Sequence, residues 1–464
     1  MTWLVGCTGC FKPTYQKFSR ETSRLIVGKQ DAADRRNPRW HAFQVLQEVD
    51  RGRRLGVLPP AGLSSKDQGL FRELVSGVVR WRSWIDWQID RLLSKPLHDD
   101  EVGYALRQVL RIGIYQMAFT DRIPPHAAVS TAVDLASGLR LPHNLVNALL
   151  RRFAAEERHP EPPRLAERFS VPDWFVRRIK RQATGRHPED LEATLRWMQT
   201  RAPLTLRWDT RKVEGPFVRE QLAAKGIKSV FSPWAPFALI LPEFRGAVQE
   251  IPGFEEGWWR IQDEAAQIVT TFLDPQPGER VLDACAAPGG KTEDMVQRMG
   301  GQGSVVAMEF KRERMQSLEE LAAREKIVRV VRGDARHPLL PEATFDRILV
   351  DAPCSGSGTW RRHPDGKWLK KDEDIPAYLE RNLHIIKGLT PLLKPGGVLV
   401  YCTCSILEEE DEEVVRTALH EIPDLKLDPL PDLLGLPMRS GMFRSPLVEG
   451  GMDGFFSARF RKVG

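Results

Sequence analysis

Apolar positions recur along this chain with two different periods, and the change of period divides it. From residue 38 to about 166 the spacing is helical: Ala42, Val45, Leu46 and Val49 fall at i, i+3, i+4 and i+7, and Leu70, Leu74, Val75, Val78 and Val79 repeat the stripe. Further periodic runs over 104–119, 125–137 and 145–153 are separated by Pro, Gly or Asp, which predicts an all-α domain over 38–166. Residues 167–254 read as a small α/β connector, with a basic helix over 174–181, strands over 204–208 and 237–241, and a helix over 217–225 between them. From 255 to 464 short apolar runs alternate with helical stretches, so an α/β fold with a largely parallel sheet is expected. Its strand cores are 281–283, 305–309, 328–331, 348–351 and 398–403, and a late strand over 454–459 closes the sheet. Residues 1–37 carry scattered charges with no sustained period and read as a flexible extension.

A chain of 464 residues fits this division into about three folded parts. Its 42% hydrophobic and 28% charged residues, with no apolar run near the ~18 that suggest a membrane span, lead us to expect a cytoplasmic protein. Residues 1–11 are too short and too poor in Lys and Arg for a signal peptide. The net charge of +6 is compatible with a polyanionic partner. Arg80, Arg82, Arg107, Arg111, Arg151 and Arg152 interleave with Trp81, Trp84 and Trp87, which is either a solvated basic face over an aromatic core or an RNA-binding face. Of six cysteines, four are Cys285, Cys354, Cys402 and Cys404, no framework for disulfides. The pair Cys7 and Cys10 has no second pair nearby and reads as two incidental thiols, so no metal is expected.

The segment from Val281 to Thr292, Val-Leu-Asp-Ala-Cys-Ala-Ala-Pro-Gly-Gly-Lys-Thr, is a buried strand entering a small-residue loop that opens a helix. Such a loop at a strand's carboxyl end lets a ligand touch backbone. A phosphate-cradling loop would need Gly where Cys285 stands, and the dinucleotide fingerprint is missing too. The remaining candidate is S-adenosylmethionine, whose uncharged ribose suits the acids at neighbouring strand ends. Glu309 ends the second strand, Asp334 follows the third and Asp351 ends the fourth.

Two cysteine loops share that sheet edge: Asp351-Ala352-Pro353-Cys354-Ser355-Gly356-Ser357-Gly358 and Tyr401-Cys402-Thr403-Cys404-Ser405. Carbon 5 of cytosine is too poor a nucleophile to attack a sulfonium methyl, whereas thiolate addition at carbon 6 places electron density on carbon 5. A second thiol or carboxylate then has a role in removing the carbon 5 proton and expelling the first thiol. Asp351 could hold the base edge, and Lys291 could favour a thiolate. Spacing alone leaves open which cysteine attacks.

These segments, with Arg361-Arg362-His363-Pro364-Asp365 and Asp453-Gly454-Phe455-Phe456, resemble the Nol1/Nop2/Sun family of RNA cytosine-C5 methyltransferases. In the first domain, Asp67-Gln68-Gly69-Leu70-Phe71, Gly77-Val78-Val79-Arg80-Trp81, Ile123-Pro124-Pro125-His126-Ala127 and Asn147-Ala148-Leu149-Leu150-Arg151-Arg152 resemble the NusB-type helical RNA-binding domain. The pairing is similar to bacterial methyltransferases of small-subunit (16S) ribosomal RNA. The resemblance implies a Rossmann-like class I S-adenosylmethionine-dependent domain with a mostly parallel seven-stranded sheet; a monomer is expected. It further implies that Cys404 is the nucleophile and that Cys354 assists release, with Asp351 and Lys291 beside the reacting base. Ala286, Ala287, Pro288, Gly289, Gly290, Lys291, Glu309, Arg314, Asp334 and Asp351 would line the cofactor pocket. Glu309 and Asp411 depart from the family, which usually has Asp and Asn there. A non-catalytic RNA-binding assembly factor, a nucleoside triphosphatase, a tRNA substrate and exchanged cysteine roles are the alternatives.

Overall fold

The computed structural model describes residues 37–55, 59–182, 188–430, 435–436 and 438–463. The expected extension, Cys7 and Cys10 included, lies outside the described residues except for Asn37. The chain divides into two compact units, one ending at Ser170 and one starting at Val171.

The first unit is helical. α1 (Pro38–Asp50) begins where the Asn37 side chain accepts from the Arg39 N–H at 3.0 Å and Pro38 supplies a preset first turn. α2 (Ser65–Arg80) is capped by Ser64, and α3 (Arg82–Leu92), α4 (Glu101–Phe119), α5 (Pro125–Gly138), α6 (His143–Ala154) and the short α7 (Leu165–Arg168) follow. α4 buries residues around much of its circumference, the mark of a central helix. The arginine and tryptophan pattern resolves partly toward a structural role. Arg111 is buried and held by Asp50 and Asp86, each at 2.7 Å, and Arg107 pairs with Asp90 at 2.8 Å. Trp84 is buried, and Trp81 stacks on Phe119 with centroids 4.5 Å apart. Arg151 stays exposed.

The second unit opens with α8 (Asp173–Gln182) and α9 (Pro188–Trp197). A four-stranded antiparallel sheet follows, built from β1 (Leu204–Trp208), β2 (Val230–Phe231), β3 (Ala238–Leu241) and β4 (Trp259–Ile261) in the order β2-β3-β1-β4. α10 (Gly215–Ala224) closes its core through Val218 and Leu222, packed with Leu206, Leu239, Leu241 and Trp259.

The remaining chain alternates: α11 (Glu264–Leu273), β5 (Arg280–Asp283), α12 (Gly290–Arg298), β6 (Ser304–Glu309), α13 (Gln316–Arg324), β7 (Val328–Arg332) and β8 (Phe345–Asp351). After these come α14 (Gly366–Leu369), α15 (Asp374–Leu389), β9 (Leu393–Thr403), α16 (Glu412–Glu421), β10 (Leu425–Leu427), β11 (Met438–Arg439), β12 (Met442–Arg444) and β13 (Phe456–Lys462). The sheet order is β11-β12-β13-β9-β8-β5-β6-β7, with β10 also on β13, and the run β9-β8-β5-β6-β7 is parallel. The mixed, mostly parallel α/β sheet is as expected, but among the described residues it has nine strands rather than seven. The late strand is interior rather than terminal, pairing antiparallel with β9, β10 and β12.

Strands covered on both faces explain the continuous apolar runs. Val281, Val305, Ala307, Leu349, Val400 and Cys402 pack on one side with α11 and α12. Leu282, Val306, Met308, Ile348, Val350, Leu399 and Tyr401 pack on the other with α15 and α16. Because β5 has β6 on one side and β8 on the other, the loops leaving the parallel strands gather at one edge, where open α/β sheets bind ligands.

Candidate active site

The loop after β5 is made of small buried residues, Ala284, Ala286 and Ala287 among them. Gly289 adopts φ +109°, a conformation that favours glycine, and a Cβ there would press on Leu318 Cδ2 at 3.1 Å. The backbone then enters α12 at Gly290. Under the loop, Thr292 Oγ1 donates to Asp283 Oδ2 at 2.7 Å, while Asp283 Oδ1 has no hydrogen-bond partner among the described residues. Burial pushes the Asp283 carboxyl up to about 7.

Arg314 joins this loop to the end of β6. Its Nη2 donates to the Ala287 carbonyl at 2.6 Å, and its Nη1 stands 3.4 Å from Glu309 Oε2. Glu309 is buried and accepts from the Lys311 N–H at 2.9 Å. Asp334 is placed differently. Arg336 grips both its oxygens, the shortest at 2.6 Å, and holds it below the usual carboxylate range; no hydrogen bond or ion pair joins it to the other predicted residues among the described ones. Sequence reasoning did not single out Phe310, which follows Glu309 and is 58% exposed, leaving an aromatic face open beside the strand-end acid. Its only signal was an aromatic immediately after that acid.

The loops after β8 and β9 bring two sulfurs together. Cys354 Sγ and Cys404 Sγ are 3.4 Å apart. Lys291 Nζ donates to Asp351 Oδ2 at 2.6 Å, the Cys402 thiol donates to Asp351 Oδ1 at 3.6 Å, and the Phe455 ring lies 5.5 Å from the ammonium. Burial works against the Lys291 charge, but Asp351 and the sulfurs of Cys402 and Cys404 outweigh it, so the group stays cationic. The hydrogen bond to Cys404, and then burial, push the Cys354 thiol well up. Burial does the same to Cys402 and Cys285, which leaves neither as a ready nucleophile.

Close backbone contacts fix the two loops. The Gly358 N–H donates to the Cys404 carbonyl at 2.9 Å, and the Gly454 N–H donates to the Gly358 carbonyl at 2.9 Å. The two remaining motif segments meet each other: Asp453 accepts from Arg361 at 2.8 Å and from Arg362 at 2.5 Å, and the Arg361 side chain is fully buried. Asp411 is also buried, accepting from Thr403 Oγ1 at 2.5 Å with Arg444 2.9 Å away.

Comparison with known proteins places these features. Residues 270–461 match the family model for the 16S rRNA methyltransferase RsmB/F, residues 36–155 the NusB family, and residues 171–248 the RsmF/B-like ferredoxin-like domain. A ribosomal RNA small subunit methyltransferase B from Salmonella paratyphi B is 36% identical over 431 residues, covering 91% of this chain and 97% of that protein. The chain belongs to the RsmB/F family of 16S rRNA methyltransferases. A Shigella sonnei member, of the same name, is 36% identical over 438 residues, covering 92% and 99% of the two chains. Among solved structures, PH0851 superposes with TM-score 0.75 at 26% identity, covering 94% of this chain and all of that one. A methyltransferase homolog protein from Pyrococcus horikoshii gives 0.54 at 29% identity, covering 64% and 98%. As an RsmB/F-family chain it is an S-adenosylmethionine-dependent RNA methyltransferase, which sets aside the triphosphatase reading. The NusB match confirms the helical first domain as the sequence pattern implied.

Proposed function

We propose that this RsmB/F-family chain methylates carbon 5 of a cytosine in small-subunit ribosomal RNA through a covalent adduct on Cys404, working as a cytoplasmic monomer. The approach of Cys354 Sγ to Cys404 Sγ at 3.4 Å carries this reading, because one thiol must form a bond to the base and a second group must help undo it. The family resemblance assigns Cys404 as the sulfur that adds to carbon 6, and the 3.4 Å contact places Cys354 beside it as the second group. Addition forms the Cys404–C6 bond and moves electron density to carbon 5. When bound, S-adenosylmethionine supplies the electrophilic methyl group that this carbon attacks. Loss of the carbon 5 proton to a base then re-forms the double bond and expels Cys404, and Cys354, in contact with that sulfur, is positioned to serve the release step.

The cofactor's residues are assigned on the same footing. The glycine-dependent turn from Ala286 through Ala287, Pro288, Gly289 and Gly290 lets a ligand approach backbone, and the unpartnered Asp283 Oδ1 is an acceptor waiting for a donor. Glu309, steadied by Arg314, would take the ribose hydroxyls, with Phe310 packing against an adjacent ring. Asp334 would accept from the adenine amino group only by sharing itself with Arg336. Lys291 and Asp351 would hold the base edge beside the thiols. A cytosine in a duplex hides carbon 6, so the target is unpaired or flipped. Incubating the enzyme with unmodified 16S rRNA, tRNA and S-adenosylmethionine, then mapping 5-methylcytosine by bisulfite sequencing, tests the assignment. One or a few cytosines modified in 16S rRNA alone is the expected result; modification of tRNA alone, or at another atom, would refute it.

A further inference from the structure

Each of the two paired thiols is followed by a serine, and both serines end on one carboxylate. The Ser355 N–H donates to Glu410 Oε1 at 2.6 Å, Ser355 Oγ donates to Oε2 at 2.6 Å, and Ser405 Oγ donates to Oε2 at 2.5 Å. Glu410 is wholly buried, so these bonds replace its solvation.

The proton directions follow from the other bonds. Ser355 Oγ accepts from the Ser357 N–H at 3.2 Å, and Ser405 Oγ accepts from the Leu407 N–H at 3.0 Å, so each hydroxyl has its single proton left for Glu410. Ser357 Oγ accepts from the Ile406 N–H at 3.0 Å and lies 3.1 Å from Ser405 Oγ, which extends the same polarity. The Ser355 N–H directly, and the Ser357 and Leu407 N–H groups through one hydroxyl each, therefore hang on a single carboxylate, while the Ser405 N–H donates to Thr403 Oγ1 at 3.2 Å.

Among the described residues no hydrogen bond joins Glu410 to either sulfur; burial pushes its carboxyl up, and its three accepted bonds all come from the serines that follow the two thiols. We propose that Glu410 is the positioning residue of the thiol pair, its carboxylate setting the approach of Cys354 to Cys404. The inference rests on the reading of these two cysteines as nucleophile and release partner. A glutamine has the same shape but one accepting oxygen, and its amide nitrogen would face either an N–H or two hydroxyl protons. The loops would have to shift to relieve that opposition.

The test uses the full-length enzyme carrying Glu410→Gln and two measurements. Single-turnover and steady-state methylation should show kcat reduced on the order of 10- to 100-fold, with KM for RNA and Kd for S-adenosylmethionine held within about two-fold. Bridging of Cys354 to Cys404 by dibromobimane, mapped by mass spectrometry without RNA, should slow in parallel. Wild-type kcat, or a lower kcat accompanied by wild-type bridging, would overturn the proposal. If Glu410→Gln does not fold, Ser355→Ala and Ser405→Ala each remove one arm while keeping the carboxylate. Both should lower bridging and kcat, and wild-type behaviour in both would overturn it as well. The bridging measurement stands apart from which cysteine attacks the base, so a wrong assignment of Cys404 would appear in adduct formation and leave the bridging result intact.

Discussion

Lys291 and Asp351 form a 2.6 Å ion pair beside the thiols, and removing one partner leaves the other without its counter-charge. Replacing Lys291 with Met keeps the length and deletes the charge, so methyl transfer should fall by about 100-fold or more while the fold persists, read as kcat against thermal melting. Asp283 gives a pH signature. Burial raises its folded pKa to about 7, above the ordinary aspartate value near 3.8, so its stabilising contribution is complete below about 4 and is lost as pH rises through 7. In cofactor-free protein, stability should decline across that window by up to about 1.4 kcal/mol per pH unit from this group. Asp283→Asn should flatten that part of the profile in denaturant titrations at several pH values, and an unchanged profile would refute the assignment. At this scale the candidate site was legible where it was spelled in consecutive residues: loop motifs singled out Cys354, Cys404, Lys291 and Asp351, and the structure brings the two thiols together and pairs Lys291 with Asp351. Glu410 did not, because its meaning lies in two serines 55 and 5 residues away, and an acidic run such as 408–413 ordinarily reads as a solvated face.

Between elements, the contact of the Gly358 and Gly454 backbones holds the Cys354 loop against the strand entry to β13. A Cβ on Gly358 would stand 1.9 Å from the Gly454 carbonyl oxygen, a backbone atom that no rotamer change can move. Gly358→Ala should therefore destabilise by about 1–3 kcal/mol and disturb the thiol loop. Gly290→Ala is the contrast, since nothing lies within 4 Å of its added Cβ; its melting temperature should match wild type, whereas cofactor affinity is where a loss would register. The parallel strands were readable because both their faces are covered, which produces unbroken apolar runs at 281–282, 305–308 and 348–350, each ending in an acid. β10, β11 and β12 span two or three residues each, too short for any alternation to declare itself, and this is why the larger sheet has more strands among the described residues than expected.

For the whole molecule, the family assignment and the net charge of +6 bear on the RNA. Part of that charge is spent internally: Arg111 and Arg107 neutralise acids of their own domain, and Arg361 and Arg362 neutralise Asp453. The exposed remainder should still make association with RNA electrostatic. Filter binding between about 50 and 200 mM salt should show affinity falling tenfold or more, with cofactor affinity nearly constant. A salt-independent RNA affinity would contradict this. The division into a helical first part and an α/β catalytic part was visible in the change of hydrophobic period, whereas the sheet edge where loops converge required the strand order.

The central claim is that the Cys404 sulfur forms a bond to the target base. RNA carrying the target cytosine, incubated with S-adenosylmethionine and the Cys354→Ala enzyme, should accumulate as a protein–RNA adduct that resists denaturing gels, with the nucleotide mapped to Cys404 by mass spectrometry. Cys404→Ala should give no adduct and no methylation. An adduct carried by Cys354 in the Cys404→Ala enzyme, or full methylation by that enzyme, would contradict the account.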